Sequence, residues 1–249
     1  LLGAALASGL VAGCGNQSSS SSSADANKEK TITFAAEMTY PPFEYAEGDQ
    51  YKGFDIDLAN AIAKQMGYKA KWVSMGFDAL IPALEAKQID AIASGMVITP
   101  EREQKINFIP YYNSGLGILV AKNINDVKTI ADLKGKRVAV QMGTTGSVAA
   151  HKIEGVGKIS EYDHNSDALL ELQKGGADAV LTAIPVAKYY LKTTPDSNAK
   201  LVSEPISKQT MGLGFSKDNK DLFDKVQKVM EDIKKDGTYD KLMQKWGIN

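Results

Sequence analysis

Cysteine occurs once in the 249 residues, at Cys14, which excludes an internal disulfide framework and any site built from several thiolates. Histidine is nearly as scarce: His151 and His164 are the only two, and neither belongs to an H-x-x-x-H metal pattern. Surface or capping roles suit both, and no metal or cofactor is expected. Charge of one sign is not in excess either. Lys and Arg number 29 against 30 Asp and Glu, so no net field favours nucleic acid or an anionic membrane. The stretch Gly143-Thr144-Thr145-Gly146-Ser147 lacks the lysine of a phosphate-binding loop, and no G-x-S-x-G elbow occurs. Carboxylates are plentiful, but none pairs into a recognisable catalytic dyad. What remains is an ordinary globular composition, 43% apolar and 24% charged, in a chain long enough for one large domain or two lobes.

The N-terminus is the first positive signal. Leu1 to Ala12 is almost wholly small or apolar and runs into Val11-Ala12-Gly13-Cys14. The stretch is too short to span a bilayer but fits the apolar core of a secretory signal. With no initiating Met and no basic segment ahead of it, Leu1 is expected to fall inside that signal. Small residues ending at a cysteine resemble a bacterial lipobox, in which the thiol is acylated and becomes the new N-terminus. The alternative is a buried free thiol, the usual fate of a lone cysteine. The serine run Ser18 to Ser23 and the polar residues that follow cannot bury apolar surface, so residues 15–30 read as a flexible tether. The folded part is expected to begin near Thr31.

From there strand and helix patterns alternate. Thr31 to Ala36, Tyr68 to Val73, Ile89 to Ala93, Arg137 to Val140 and Ala179 to Leu181 read as strands. Helices are predicted over Asp55 to Met66, closed by Gly67, and over Ala79 to Ala86 and Asp167 to Gln173. Leu222, Phe223, Val226, Val229, Met230 and Ile233 form a last amphipathic stripe, ended by Gly237. Strands separated by helices imply βαβ units and parallel sheets, an α/β fold class.

Several segments together resemble the polar amino-acid family of solute-binding proteins that serve ABC-type importers, in its lipoprotein form. They are Tyr40-Pro41-Pro42-Phe43-Glu44-Tyr45, Gly53 to Leu58, Phe77 to Leu84, Asp90 to Ile98, Thr99-Pro100-Glu101-Arg102, Gln141 to Gly146 and Gly176 to Val180. Each is weak alone; their order and spacing across residues 31–249 make the match specific. The resemblance implies two α/β lobes joined by two crossing strands, with a ligand cleft between them. Lobe one would take residues 31–113 and 212–249, lobe two 119–206, and the hinge 114–118 and 207–211.

The site follows from the same resemblance. Arg102 stands where the family's arginine holds the ligand carboxylate, a task for a planar guanidinium that lysine cannot match. The amides of Val97 and Thr145 would assist, Thr145 opening a helix. Tyr40 and Phe77 would wall the ligand with rings. Glu37 and Gln141 match positions that read the ligand's side chain, and Ser94, Gly95 and Thr144 complete the lining. One position departs from the family. Where an aspartate usually meets the α-ammonium, this chain has Ala183, so Glu37, the Gly95 carbonyl and water must hold that group, or the solute is not a standard α-amino acid.

The expected partners are therefore a small solute, the permease of an importer, and a membrane reached through a lipid anchor; the protein itself would be monomeric and would bind no nucleic acid. It would sit outside the cytoplasmic membrane, or in the periplasm of a host with an outer membrane. Two other readings share the fold: a dehydratase acting on cyclic acids, for which Ala183 leaves a neutral residue at one candidate acid position, and a ligand sensor for a separate signalling partner.

Overall fold

The computed structural model describes residues 30–202 and 204–248; Cys14 and the serine tract lie outside the described residues. The chain opens with β1 (Thr31–Ala36), followed by a small three-stranded antiparallel sheet of β2 (Thr39–Tyr40), β3 (Glu44–Glu47) and β4 (Gln50–Lys52) that sequence patterning did not reveal. Helix α1 (Phe54–Gln65) then packs Ile56, Leu58, Ala59, Ile62 and Ala63 inward. Its start is fixed by the Phe43 loop: the Phe54 and Asp55 amides donate to the carbonyls of Pro42 and Phe43, each at 2.8 Å. Gly53, at φ 133°, is obligatory there, because a Cβ would sit 2.0 Å from the Phe43 oxygen. The Tyr40–Tyr45 and Gly53–Leu58 segments thus form one structural unit.

β5 (Lys69–Ser74) pairs parallel with β1. The helix expected from Ala79 begins as a 3-10 turn at Phe77–Ala79 and becomes α2 at Leu80–Glu85. β6 is shorter than expected, Ala91–Ile92, and α3 (Pro100–Lys105) starts on Thr99, whose hydroxyl accepts from the Arg102 amide. Then comes the long strand β7 (Ile106–Ala121).

The second half repeats the strand–helix theme with β8 (Arg137–Gln141), α4 (Thr145–Ala150), β9 (Lys158–Tyr162), α5 (Asn165–Gln173), β10 (Ala179–Ala183), α6 (Ile184–Thr193) and β11 (Ala199–Leu201). β12 (Ser207–Ser216) returns to the first half, and α7 (Lys220–Lys235) and α8 (Thr238–Trp246) close the described chain. Gly237 ends α7 as expected, but in its left-handed conformation it also turns the chain directly into α8.

The main sheet runs β5-β1-β6-β12-β7-β10-β8-β9, with β11 also on β7. β7 is its spine. Residues 106–116 pair antiparallel with β12, residues 116–120 pair with β10 on one side, and residues 119–121 pair with β11 on the other. Two lobes result. Around β1, α1, β12 and α7 lie Phe34, Leu58, Ile62, Phe215, Val226 and Met230; around β8, β10 and α5 lie Ile118, Val140, Leu172 and Val180. Burying each such large side chain contributes about 1.5–3 kcal/mol.

Candidate functional site

Between the lobes is a narrow cavity. All eleven residues expected at a ligand site line it, drawn from both lobes. Its floor on the first lobe is built by the turn after β1 and the turn after β6. The Glu37 amide donates to Ser94 Oγ at 2.9 Å, and Ser94 Oγ in turn donates to Glu44 Oε1 at 3.1 Å. Gly95 donates its amide to Asp55 Oδ2 at 2.8 Å; at φ 50° its Cα faces the Tyr40 ring, where a Cβ would come within 3.0 Å of the ring. Tyr111 also donates its hydroxyl to Asp55 Oδ2, at 2.7 Å.

This floor holds two carboxyl groups with no counter-charge. Burial, then each other's charge and that of Glu37, pushes Glu44 well above the usual carboxylate range, and burial takes Asp55 up to about 6. Glu44 Oε2 and Asp55 Oδ1 are buried without a hydrogen-bond partner among the described residues. One proton held between them gives both oxygens a partner.

Arg102 rises from α3 on one flank. Its guanidinium lies 5.4 Å from the centre of the Phe77 ring and donates to the Val97 carbonyl and, at 2.9 Å across the cleft, to the Gly143 carbonyl. No carboxylate forms an ion pair with it among the described residues, and burial lowers its pKa to about 10. Beside it the Val97 and Thr145 amides carry no hydrogen bond among the described residues. Two free amides and an unpaired guanidinium make this flank an anion-seeking corner.

The second lobe supplies the opposite wall. Thr144 is committed to structure: it caps α4 by accepting from the Ser147 amide and donates to the Gln141 carbonyl. Gln141 donates to the Asp163 carbonyl at 3.1 Å. Ala183 is buried at the end of β10, and its amide donates to the Tyr40 hydroxyl at 3.1 Å, so a phenol reaches this position. Burial raises that phenol to about 12.

Sequence reasoning passed over several lining residues. Glu44 sits inside a motif already singled out, and its burial could have been read from that. Asn165, Thr182 and Gln209 carried no comparable signal. Asn165 accepts from Thr182 at 3.1 Å and leaves its own Nδ2 buried without a partner; Gln209, from β12, donates to Thr145 Oγ1 at 2.8 Å. His164 is exposed, as expected of a surface residue, and stands at the N-cap of α5, but its side chain makes no cap; instead Nδ1 lies 2.7 Å from Glu37 Oε1 across the cleft. His151 stays at the surface, ending α4, 3.3 Å from Glu161. No group of three or more His, Cys, Asp or Glu among the described residues is placed to hold a metal.

This cleft between two α/β lobes has counterparts. The sequence profile described as bacterial extracellular solute-binding proteins, family 3, matches residues 32–249. The chain belongs to that family. This family 3 protein is 36% identical over 225 residues to the ABC transporter arginine-binding protein 1 of Escherichia coli (strain K12), covering 89% of this chain and 92% of that one. It is 33% identical over 249 residues to the arginine-binding extracellular protein ArtP of Bacillus subtilis (strain 168), covering 99% and 96%. An ancestral arginine-binding protein solved with arginine superposes with a TM-score of 0.84 at 41% identity, covering 88% of this chain and 98% of the other. Like these relatives, the family 3 protein is a binding protein rather than an enzyme, which sets the dehydratase reading aside.

Proposed function

We propose that this solute-binding protein captures L-arginine, or an amino acid of similar cationic character, and delivers it to the permease of an ABC-type importer. The observation that carries this is the polarity of the cavity. Arg102 and two free amides make one end of the lining, with the Phe77 ring against the guanidinium, and the acids Glu37 and Glu44 belong to the rest, with the Tyr40 ring. A zwitterion with a cationic side chain places its carboxylate at that end and its positive charge toward the acids. The arginine-binding names among the relatives point the same way.

Residues 31–113 with 212–249 serve as lobe one and 119–206 as lobe two, turning about 114–118 and 207–211. The solute touches both lobes only when they approach, so it favours the closed state. Acylation of Cys14, with residues 15–30 as tether, would hold the monomer at the outer face of the membrane.

A thermal-shift screen of the full chain against L-arginine, L-lysine, L-ornithine, L-histidine, L-glutamine and L-glutamate tests the solute. At about a hundred times Kd, the true solute adds about 2.7 kcal/mol of stability. L-arginine is expected to give the largest shift, and a larger shift from L-glutamate would refute the assignment. Loss of membrane association in Cys14→Ser is the corresponding check of the anchor.

A further inference from the structure

We propose that His164 is the protein's own competitor for Glu37: its imidazolium bridges the lobes when the cleft closes without solute, and a cationic solute displaces that charge with release of a proton. This inference rests on the reading that the solute brings a positive charge to Glu37.

The geometry is specific. The Glu37 side chain is 2% exposed, and Oε1 accepts both His164 Nδ1 at 2.7 Å and Thr39 Oγ1 at 2.9 Å. Among the described residues Oε2 accepts only from Thr39, at 2.8 Å, which leaves lone-pair capacity on that oxygen, and Glu37 lines the cavity. His164 comes from the other lobe and is half exposed, so its proton exchanges with solvent while the carboxylate stays enclosed. A capping side chain at the head of α5 would serve that helix better; this one turns across the cleft instead.

The charges that act most strongly on His164 are negative: Glu37 from the first lobe, and Asp163 and Asp167 from its own segment. Their sum, led by the hydrogen bond to Glu37, holds the imidazole above its usual 6.5. A second cation at Glu37 reverses this. Two positive charges sharing one carboxylate repel, so the imidazolium loses its advantage and the proton leaves. Binding of a cationic solute and binding of the proton then oppose each other. For one proton, affinity falls by up to about tenfold for each pH unit below the pKa of the empty protein. A neutral solute has no such quarrel with His164. Burial also raises Glu44, and Asp55 to about 6, so only a comparison with a His164 variant isolates the imidazole.

The test is calorimetric titration of L-arginine into the full chain and into His164→Gln, from about pH 5 to about pH 8, in two buffers of different ionisation heat. Wild type is expected to weaken toward acid and to release up to about one proton on binding near its pKa. His164→Gln, which keeps a neutral donor, is expected to flatten the profile and to bind more tightly than wild type at the acid end. Equal pH slopes in the two proteins, or no proton release by wild type, would overturn the proposal while leaving L-arginine as the solute. Weakening of His164→Gln by the same factor at every pH would make His164 a strut and also overturn it. No binding of L-arginine to wild type at any pH would remove the reading of the solute, and this inference with it.

Discussion

Replacing Arg102 by alanine separates a ligand contact from a structural one, because the structure predicts opposite consequences for binding and for folding. The guanidinium has been taken out of water without an acid to receive it, and its pKa falls from 12.5 to about 10. That gap of about 2.5 corresponds to about 3 kcal/mol. One side of the group still meets solvent, so about 2–3 kcal/mol is what an arriving carboxylate can recover. Arg102→Ala is therefore expected to weaken L-arginine binding by about 30- to 150-fold. Arg102→Lys should restore only part, since an ammonium cannot make the paired hydrogen bonds of a guanidinium. The unliganded protein should barely notice. It loses donors to the Val97 and Gly143 carbonyls but is relieved of a buried charge, a net effect within about 1 kcal/mol, or about 4 °C in Tm. Calorimetry for affinity and thermal denaturation of the ligand-free protein are the two assays. Affinity within about twofold of wild type would refute the carboxylate assignment. So would a loss of unliganded stability as large as the loss of binding energy, which would make Arg102 a brace between lobes.

Three further outcomes follow from the same geometry. Glu37→Gln should weaken L-arginine by about 1.5–3 kcal/mol, the worth of a hydrogen bond to a charged group, and leave L-glutamine nearly unaffected; calorimetry with both solutes checks it. Ala183→Asp puts a carboxylate at the head of α6, where the Val186 amide is a potential capping partner, and should tighten L-arginine about tenfold; weaker binding would mean that no ammonium points there. Glu44→Gln replaces a proton-sharing acid by a permanent donor and should raise stability at neutral pH by about 1–3 kcal/mol. The sign follows from pKa values raised on folding: the native state holds extra protons, so stability is greatest below the ordinary carboxylate range and declines as pH rises, for Asp55 through about 6. Denaturant titrations over pH should show this decline reduced in the variant, and an unchanged profile would contradict the shared proton.

Helices with strong stripes were legible almost to the residue: Leu222, Val226, Met230 and Ile233 are the buried face of α7. The stripe of α8 was present too, in Tyr239, Leu242, Met243 and Trp246, but Gly237 reads as a stop when it is also a joint. β2 to β4 escaped because strands of two to four residues carry too few alternations to register. In the cavity, residues inside ordered motifs, such as Arg102 and Gln141, could be placed by resemblance, as could Glu37 just past the first strand. His164 and Gln209 could not, because each reaches the cleft only through the tertiary approach of distant segments, 127 residues apart for His164 and Glu37.

The seat of β12 governs the order in which the polypeptide can solidify. It lies between β6 and β7, at the centre of the sheet, although it is the last strand made. A chain emerging N-terminus first therefore holds β1, β5 and β6 at an open edge until residues 207–216 arrive, while the strands and helices from β7 to β11 already have one another. Units complete within one contiguous stretch can fold early; one stitched from both ends cannot. The lobe first to appear is thus the last to harden, and it does so only once β12 has been made.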